Sequence, residues 1–326
     1  MNENLTYRRM KPVAVLVWLL LTAAVVLSSI GLLVARSWYL RRMAVAELER
    51  HGDFGINEMI LQIFGISEDG ESVAFTCNQD PDRETVADLA VFLERVRCTK
   101  LGLQGYANLK DINGLEKLKS LRTLDLMGTK VSDVGPLAAL TNLQVLLLHG
   151  TGVSDVGPLA ALTNLQELVL SRTGVSDVGP LAALTNLQTL ALGDTGVSDV
   201  GPLAALTNLH LLSLSGTGVS DVGPLAALTN LESLGLSRTR VSDVGPLAAL
   251  TNLKYLDLTD TGINDVRPLA ALTNLLGLDL TGTAVSDVGP LTALTNLSWL
   301  DLTGTKVPEE QVEALRKKLR KCDISQ

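Results

Sequence analysis

Val131-Ser132-Asp133-Val134-Gly135-Pro136-Leu137-Ala138-Ala139-Leu140-Thr141-Asn142-Leu143 returns unchanged from Val153, Val175, Val197, Val219 and Val241, and nearly unchanged from Ile263 and Val285. Each start lies 22 residues after the one before. Between copies sits a shorter stretch that keeps its leucines and changes almost everything else. A near-perfect repeat of this length must be read as one coil of a stack, because so few apolar residues cannot form a core by themselves.

Aligned on its constant positions, one coil reads L-x-x-L-x-L-x-x-T-x-V-x-x-V-x-x-L-x-x-L-x-x, as in Leu121, Leu124, Leu126, Thr129, Val131, Val134, Leu137 and Leu140. The L-x-L pair has period two, so both leucines point to one face of a short strand. From Val131 the apolar residues recur every third position, which suits a 3₁₀-type turn. Gly135-Pro136 agrees, since proline is tolerated where a helical turn begins. Strand, short helical return, strand again: stacked coils then bury their leucines in one aliphatic column. The strands pair in parallel at roughly 4.8 Å per coil. The outward face of that sheet stays open, and it is the expected working surface.

Nine threonines, Thr129, Thr151, Thr173, Thr195, Thr217, Thr239, Thr261, Thr283 and Thr305, fall one above another. With them, the 22-residue length and the V-S-D-V-x-P-L-x-x-L-T-N-L turn resemble the internalin-like branch of the leucine-rich-repeat family. The resemblance covers about residues 101–326. It implies an α/β solenoid: a right-handed superhelix with a concave parallel sheet and short 3₁₀ turns on the convex side. It also implies an interaction module rather than an enzyme. In the family this threonine position is usually asparagine, whose amide donates to carbonyls of neighbouring turns. Threonine has one donor where asparagine has two, so the ladder is expected to be weaker here.

The composition is 46% hydrophobic and only 3% aromatic, as an aliphatic array requires. Residues 1–50 carry seven Lys/Arg against three Asp/Glu, while the remaining 20 Lys/Arg meet 32 Asp/Glu. An acidic body is a poor partner for nucleic acid. After a tail at 1–11, residues 12–35 contain no charge, long enough to cross roughly 30 Å of hydrocarbon as one transmembrane helix. A cleaved signal peptide is the rival, but its apolar core runs to only about 7–15 residues. No small-x-small site closes the run before Arg36-Ser37-Trp38. Arg8, Arg9 and Lys11 nearly balance Arg36, Arg41 and Arg42 across the span. The short leading tail favours a single-pass protein with its repeats outside the cytoplasm.

Residues 36–50 read as a juxtamembrane helix and 51–100 as a cap over the open end of the column. Within the cap, Ile56 to Phe64 and Val73 to Cys77 are two strands, or a helix and a strand. Val86, Leu89, Ala90, Leu93 and Val96 mark a helix. The array runs from 101 to 307, its first coil one residue longer than the 22-residue period because Leu101 and Leu124 are 23 apart. Residues 308–326 read as a capping helix: Pro308 opens it, Glu309 and Glu310 occupy its first turn and Arg316 to Lys321 its last. Val312, Leu315 and Leu319 face the column, with Cys322 and Ile324 as a last rung. That ending resembles membrane-anchored bacterial leucine-rich-repeat proteins. Cys77 and Cys98 either pair or stand, like Cys322, as isolated thiols.

No phosphate loop, zinc motif or nucleophile elbow is present, and no cofactor is expected. His149 and His210 lie three coils apart, roughly 14 Å by strand spacing, too far to share a metal. The turn carboxylates Asp133, Asp155, Asp177, Asp199, Asp221, Asp243, Asp265 and Asp287 come one per coil, whereas calcium takes six to eight oxygens. They are read as caps for the N–H groups that open each turn.

What varies between coils is the outward strand positions. Val145, Leu147, His149, Glu167 and Val169 form an apolar patch with a charged edge. Tyr255, Asp257, Asp279, Trp299 and Asp301 form an aromatic–acidic patch. Aromatics on a small-residue surface concentrate interface energy, and in-line carboxylates suit a cationic partner. The expected function is therefore a membrane-anchored scaffold binding a protein through its concave face. Drift on a tolerant surface, an envelope spacer without a ligand, and carbohydrate binding at Trp299 and Tyr255 remain the rivals.

Overall fold

A computed structural model describes residues 62–64, 72–76, 90, 93–94, 98–104 and 106–326. The expectations for 1–11, 12–35 and 36–50, and for Cys77, lie outside the described residues. Among the described residues no helix is long and apolar enough to cross a membrane.

The described strands make one thirteen-stranded sheet in chain order. β1 (Gln62–Phe64) and β2 (Ser72–Thr76) pair antiparallel, so the described part of this stretch takes the two-strand reading. Every later neighbour is parallel. β3 (Lys100–Gly102), β4 (Thr123–Asp125), β5 (Val145–Leu147), β6 (Glu167–Val169) and β7 (Thr189–Ala191) follow in order. Then come β8 (Leu211–Ser213), β9 (Ser233–Gly235), β10 (Tyr255–Asp257), β11 (Gly277–Asp279), β12 (Trp299–Asp301) and β13 (Asp323–Ser325). Leu101 is in register with Leu124, Leu124 with Leu146, and so on to Leu300 and Ile324.

The returns are 3₁₀ turns such as Gly135–Ala139 and Gly157–Ala161, each with proline in its first two positions. Their opening is held as the sequence suggests: Asp133 Oδ1 accepts the Gly135 N–H at 2.8 Å, and Asp155, Asp177 and the later turn aspartates repeat the contact. Strand and turn leucines, among them Leu124, Leu137, Leu146 and Leu190, are fully buried in one continuous column. At the far end α1 (Glu309–Lys318) lays Val312 and Leu315 on that column, and Ile324 of β13 adds the last inward rung. Cys322 is half-buried against the core, and burial, with Asp323 adding, pushes its thiol up to about 11.

One expectation needs correcting. The threonine hydroxyls do not reach the neighbouring coil; Thr129 Oγ1 donates at 2.7 Å to Leu126 O in its own coil, and Thr195 to Leu192 O at 2.6 Å. A hydroxyl on Cβ bonds back to the carbonyl three residues earlier, where a longer amide would reach across. The side-chain ladder between coils is made by Asn142, Asn164, Asn186, Asn208 and the asparagines after them. Asn186 Nδ2, for example, donates to Thr163 O of the coil before at 2.8 Å.

Candidate binding face

Leu124 and its equivalents turn into the column, so the residues before and after them in each strand turn outward. The register sets Asp257 beside Asp279 and Asp279 beside Asp301 on three consecutive strands. Tyr255 and Trp299 lie two coils apart with Gly277 between them. A Cβ on Gly277 would fall on the Trp299 indole, so that ring lies over the glycine and closes the gap. The aromatic–acidic patch is therefore contiguous.

Its carboxylates are less available than their charges suggest. Asp257, Asp279 and Asp301 each accept the backbone N–H two residues on, from Thr259, Thr281 and Thr303 at 3.0, 2.9 and 2.8 Å. Asp301 is held below its ordinary value, first by its hydrogen bond to the Thr303 side chain, against the opposing effect of burial. The aspartates shape the strand ends as well as charging them.

The second group is also contiguous: Val145 pairs with Glu167 and Leu147 with Val169, with His149 two residues beyond β5. All five are half-buried. β7, β8 and β9 separate the two groups, about four coil steps or roughly 19 Å. They are two patches on one face.

Large apolar side chains exposed among the described residues are Leu211 (39%), Tyr255 (46%) and Trp299 (39%). All three occupy the first outward position of β8, β10 and β12, alternate strands of one row. Leu211 belongs to this surface and is missed when the face is read as discrete patches. Its signal was in the sequence: 211, 255 and 299 are separated by two repeats each. Ser233, between Leu211 and Tyr255, leaves a notch in the row.

Beside the start of the strands runs an open groove of about 390 Å³ lined by Gln144, Asn164, Gln166, Asn186, Gln188, Asn208 and His210. It is neutral amide over most of its length. Past His210 the same row carries Glu232 and Lys254, paired at 2.8 Å, and the Lys254 hydrogen bond holds the Glu232 carboxyl below its usual range.

Comparison with known proteins bears directly on this geometry. Models described as leucine-rich repeats match residues 141–183 and 229–271 in two-copy form, and 117–136 as a single repeat. A solved internalin (inlF) from Listeria monocytogenes str. 4b F2365 is 30% identical with a TM-score of 0.69, the match covering 76% of this chain and 73% of that one. The chain belongs to the leucine-rich-repeat family. Its likeness extends to internalin C2 (inlC2) of the same Listeria strain, 36% identical with a TM-score of 0.52, over 56% of this leucine-rich-repeat chain and 81% of that one. The Leptospira interrogans protein LIC12759 shares the fold at 24% identity and a TM-score of 0.67, over 72% of this chain and 62% of that one. No curated protein sequence matches. Leucine-rich-repeat chains are typically protein-binding scaffolds without enzymatic activity.

Proposed function

We propose that this leucine-rich-repeat chain is a single-pass, membrane-anchored scaffold of bacterial type that binds a protein partner through its open sheet face. Residues 12–35 are its span, and the repeats lie outside the cytoplasm. The observation that carries the binding reading is the row Leu211, Tyr255, Trp299: among the described residues, the exposed large apolar side chains all fall on that face. A random scatter would place some on the turns. Rigid aromatics beside a small-residue notch are what interface anchors need, and Asp257, Asp279 and Asp301 give the same end a negative rim that favours a Lys- or Arg-bearing partner. The half-buried Val145, Leu147, His149, Glu167 and Val169 form a secondary contact.

A photo-crosslinking residue at Ser233, between Leu211 and Tyr255, should capture a discrete protein from native membranes. The same group at the exposed turn residue Ala183 should not. Equal capture at both positions would overturn the reading. The amide-lined groove favours carbohydrate as the second ligand class, because neutral amides both donate to and accept from hydroxyls. That reading predicts glycan binding lost on Gln166→Ala or Gln188→Ala and insensitive to Trp299→Ala.

A further inference from the structure

One residue per coil, just past the strand, has a left-handed backbone. In five coils it is the expected glycine: Gly128, Gly150, Gly216, Gly282 and Gly304, with φ between 68° and 73°. In the other four it is Arg172, Asp194, Arg238 and Asp260, at φ 53° to 57°. A side chain at such φ carries a steric cost that glycine avoids, and strain of this kind marks places where a side chain has work to do. All four are charged and all four project from one border of the sheet. Their positions are rigid, since each N–H continues the parallel ladder, as in Arg172 N to Gly193 O and Asp260 N to Thr281 O, both 2.8 Å.

The order along the border is Arg172, Asp194, Gly216, Arg238, Asp260: plus, minus, neutral, plus, minus. Reversing the direction of travel exchanges the signs about Gly216. A second row laid antiparallel against the first therefore sets Arg172 opposite Asp260 and Asp194 opposite Arg238, with the two Gly216 residues meeting at the centre. Because the coils are equal in length, every pair falls into step, over about four coil spacings or roughly 19 Å.

We propose that this border is a self-complementary contact between two copies of the chain, related by a two-fold axis along the sheet normal at Gly216. Such an axis reverses chain direction and strand direction together while leaving both open faces on the same side, and an isologous contact of this kind closes as a dimer. Within one chain the charges are incompletely used. Asp194 reaches Arg172 at 3.4 Å and Arg238 at 3.5 Å, both arginines stay more than 60% exposed, and Asp260 has no ion-pair partner among the described residues. A Cβ on Gly216 would strike Asp194 Oδ1 and one on Gly282 would strike Asp260 Oδ1, so both aspartates lean along the border toward the next coil. The contact is narrow and polar, so the dimer is weak and salt-sensitive. It does not depend on what the sheet face binds.

The test uses the full chain in detergent micelles, with donor- and acceptor-labelled populations mixed and energy transfer followed against concentration. The wild type should associate, and raising salt from about 0.05 M to about 0.5 M should weaken it. Arg172→Glu alone and Asp260→Arg alone should each weaken association about tenfold, a modest change in pairing energy. Mixing those two single variants with each other should restore it, as should placing both changes in one chain. Arg172→Gly and Asp260→Gly relieve the backbone, so they keep the fold while still weakening association. A wild type that stays monomeric, variants that associate as it does, or a mixture no tighter than its components would each overturn the proposal.

Discussion

Leu190 is fully buried between Leu168 and Leu212 of the neighbouring strands, and Ala191 beside it faces outward. Leu190→Ala leaves a cavity shared by two coils and should cost about 2–5 kcal/mol. Ala191→Ser should change stability by less than about 0.5 kcal/mol. A urea melt separates the two, and equal effects would mean the strand phase is wrong. Asp301 sets a second expectation at this scale. Its folded value lies below the ordinary 3.8, chiefly through the Thr303 hydrogen bond, so its contribution is complete above the unfolded value and is lost as pH falls through the folded one. Asp301→Asn should therefore remove part of the stability loss seen below about pH 4, and leave the slope near neutrality unchanged. An acid titration of the melting temperature checks this.

Coils are joined through three connections: the parallel backbone ladder, the leucine column and the asparagine ladder. Asn186→Ala removes one side-chain link to Thr163 O and should cost about 0.5–1.5 kcal/mol. In a chain of nearest-neighbour units the loss should appear as faster hydrogen exchange in the coils either side of position 186, with distant coils unaffected. The strands, the 3₁₀ returns, the register and the role of Asp133 were legible in the sequence, because period two, period three and Asx geometry are local rules. The ladder was not. Thr129 and Asn142 both recur once per coil, and choosing between them requires knowing how far a hydroxyl and an amide reach across a coil step. Similarly, Tyr255 and Trp299 stood out by type, whereas Leu211, at the same outward position two repeats earlier, joined their row only once its exposure was seen. The burial of Gly277 beneath Trp299 depended on a rotamer that no spacing rule predicts.

At the scale of the molecule, one side is copied coil after coil and the other varies. The constant side, with its prolines, aspartates and asparagines, holds the stack; the variable side carries Leu211, Tyr255 and Trp299. The reading of residues 12–35 as a span predicts that the mature chain keeps its N-terminus and stays with membranes at high salt. N-terminal sequencing of any released protein checks this, and a start near Arg36 or Ser37 would contradict it. The division between the two sides is tested most directly by affinity measurements on the full chain against the protein captured at position 233. Trp299→Ala and Tyr255→Ala should each cost about 2 kcal/mol or more of binding, as anchor residues do, while Asp155→Asn and Asp177→Asn leave affinity unchanged and slightly weaken the fold. Loss of binding in the turn variants with binding retained in Trp299→Ala and Tyr255→Ala would place the working surface on the opposite side and contradict the account.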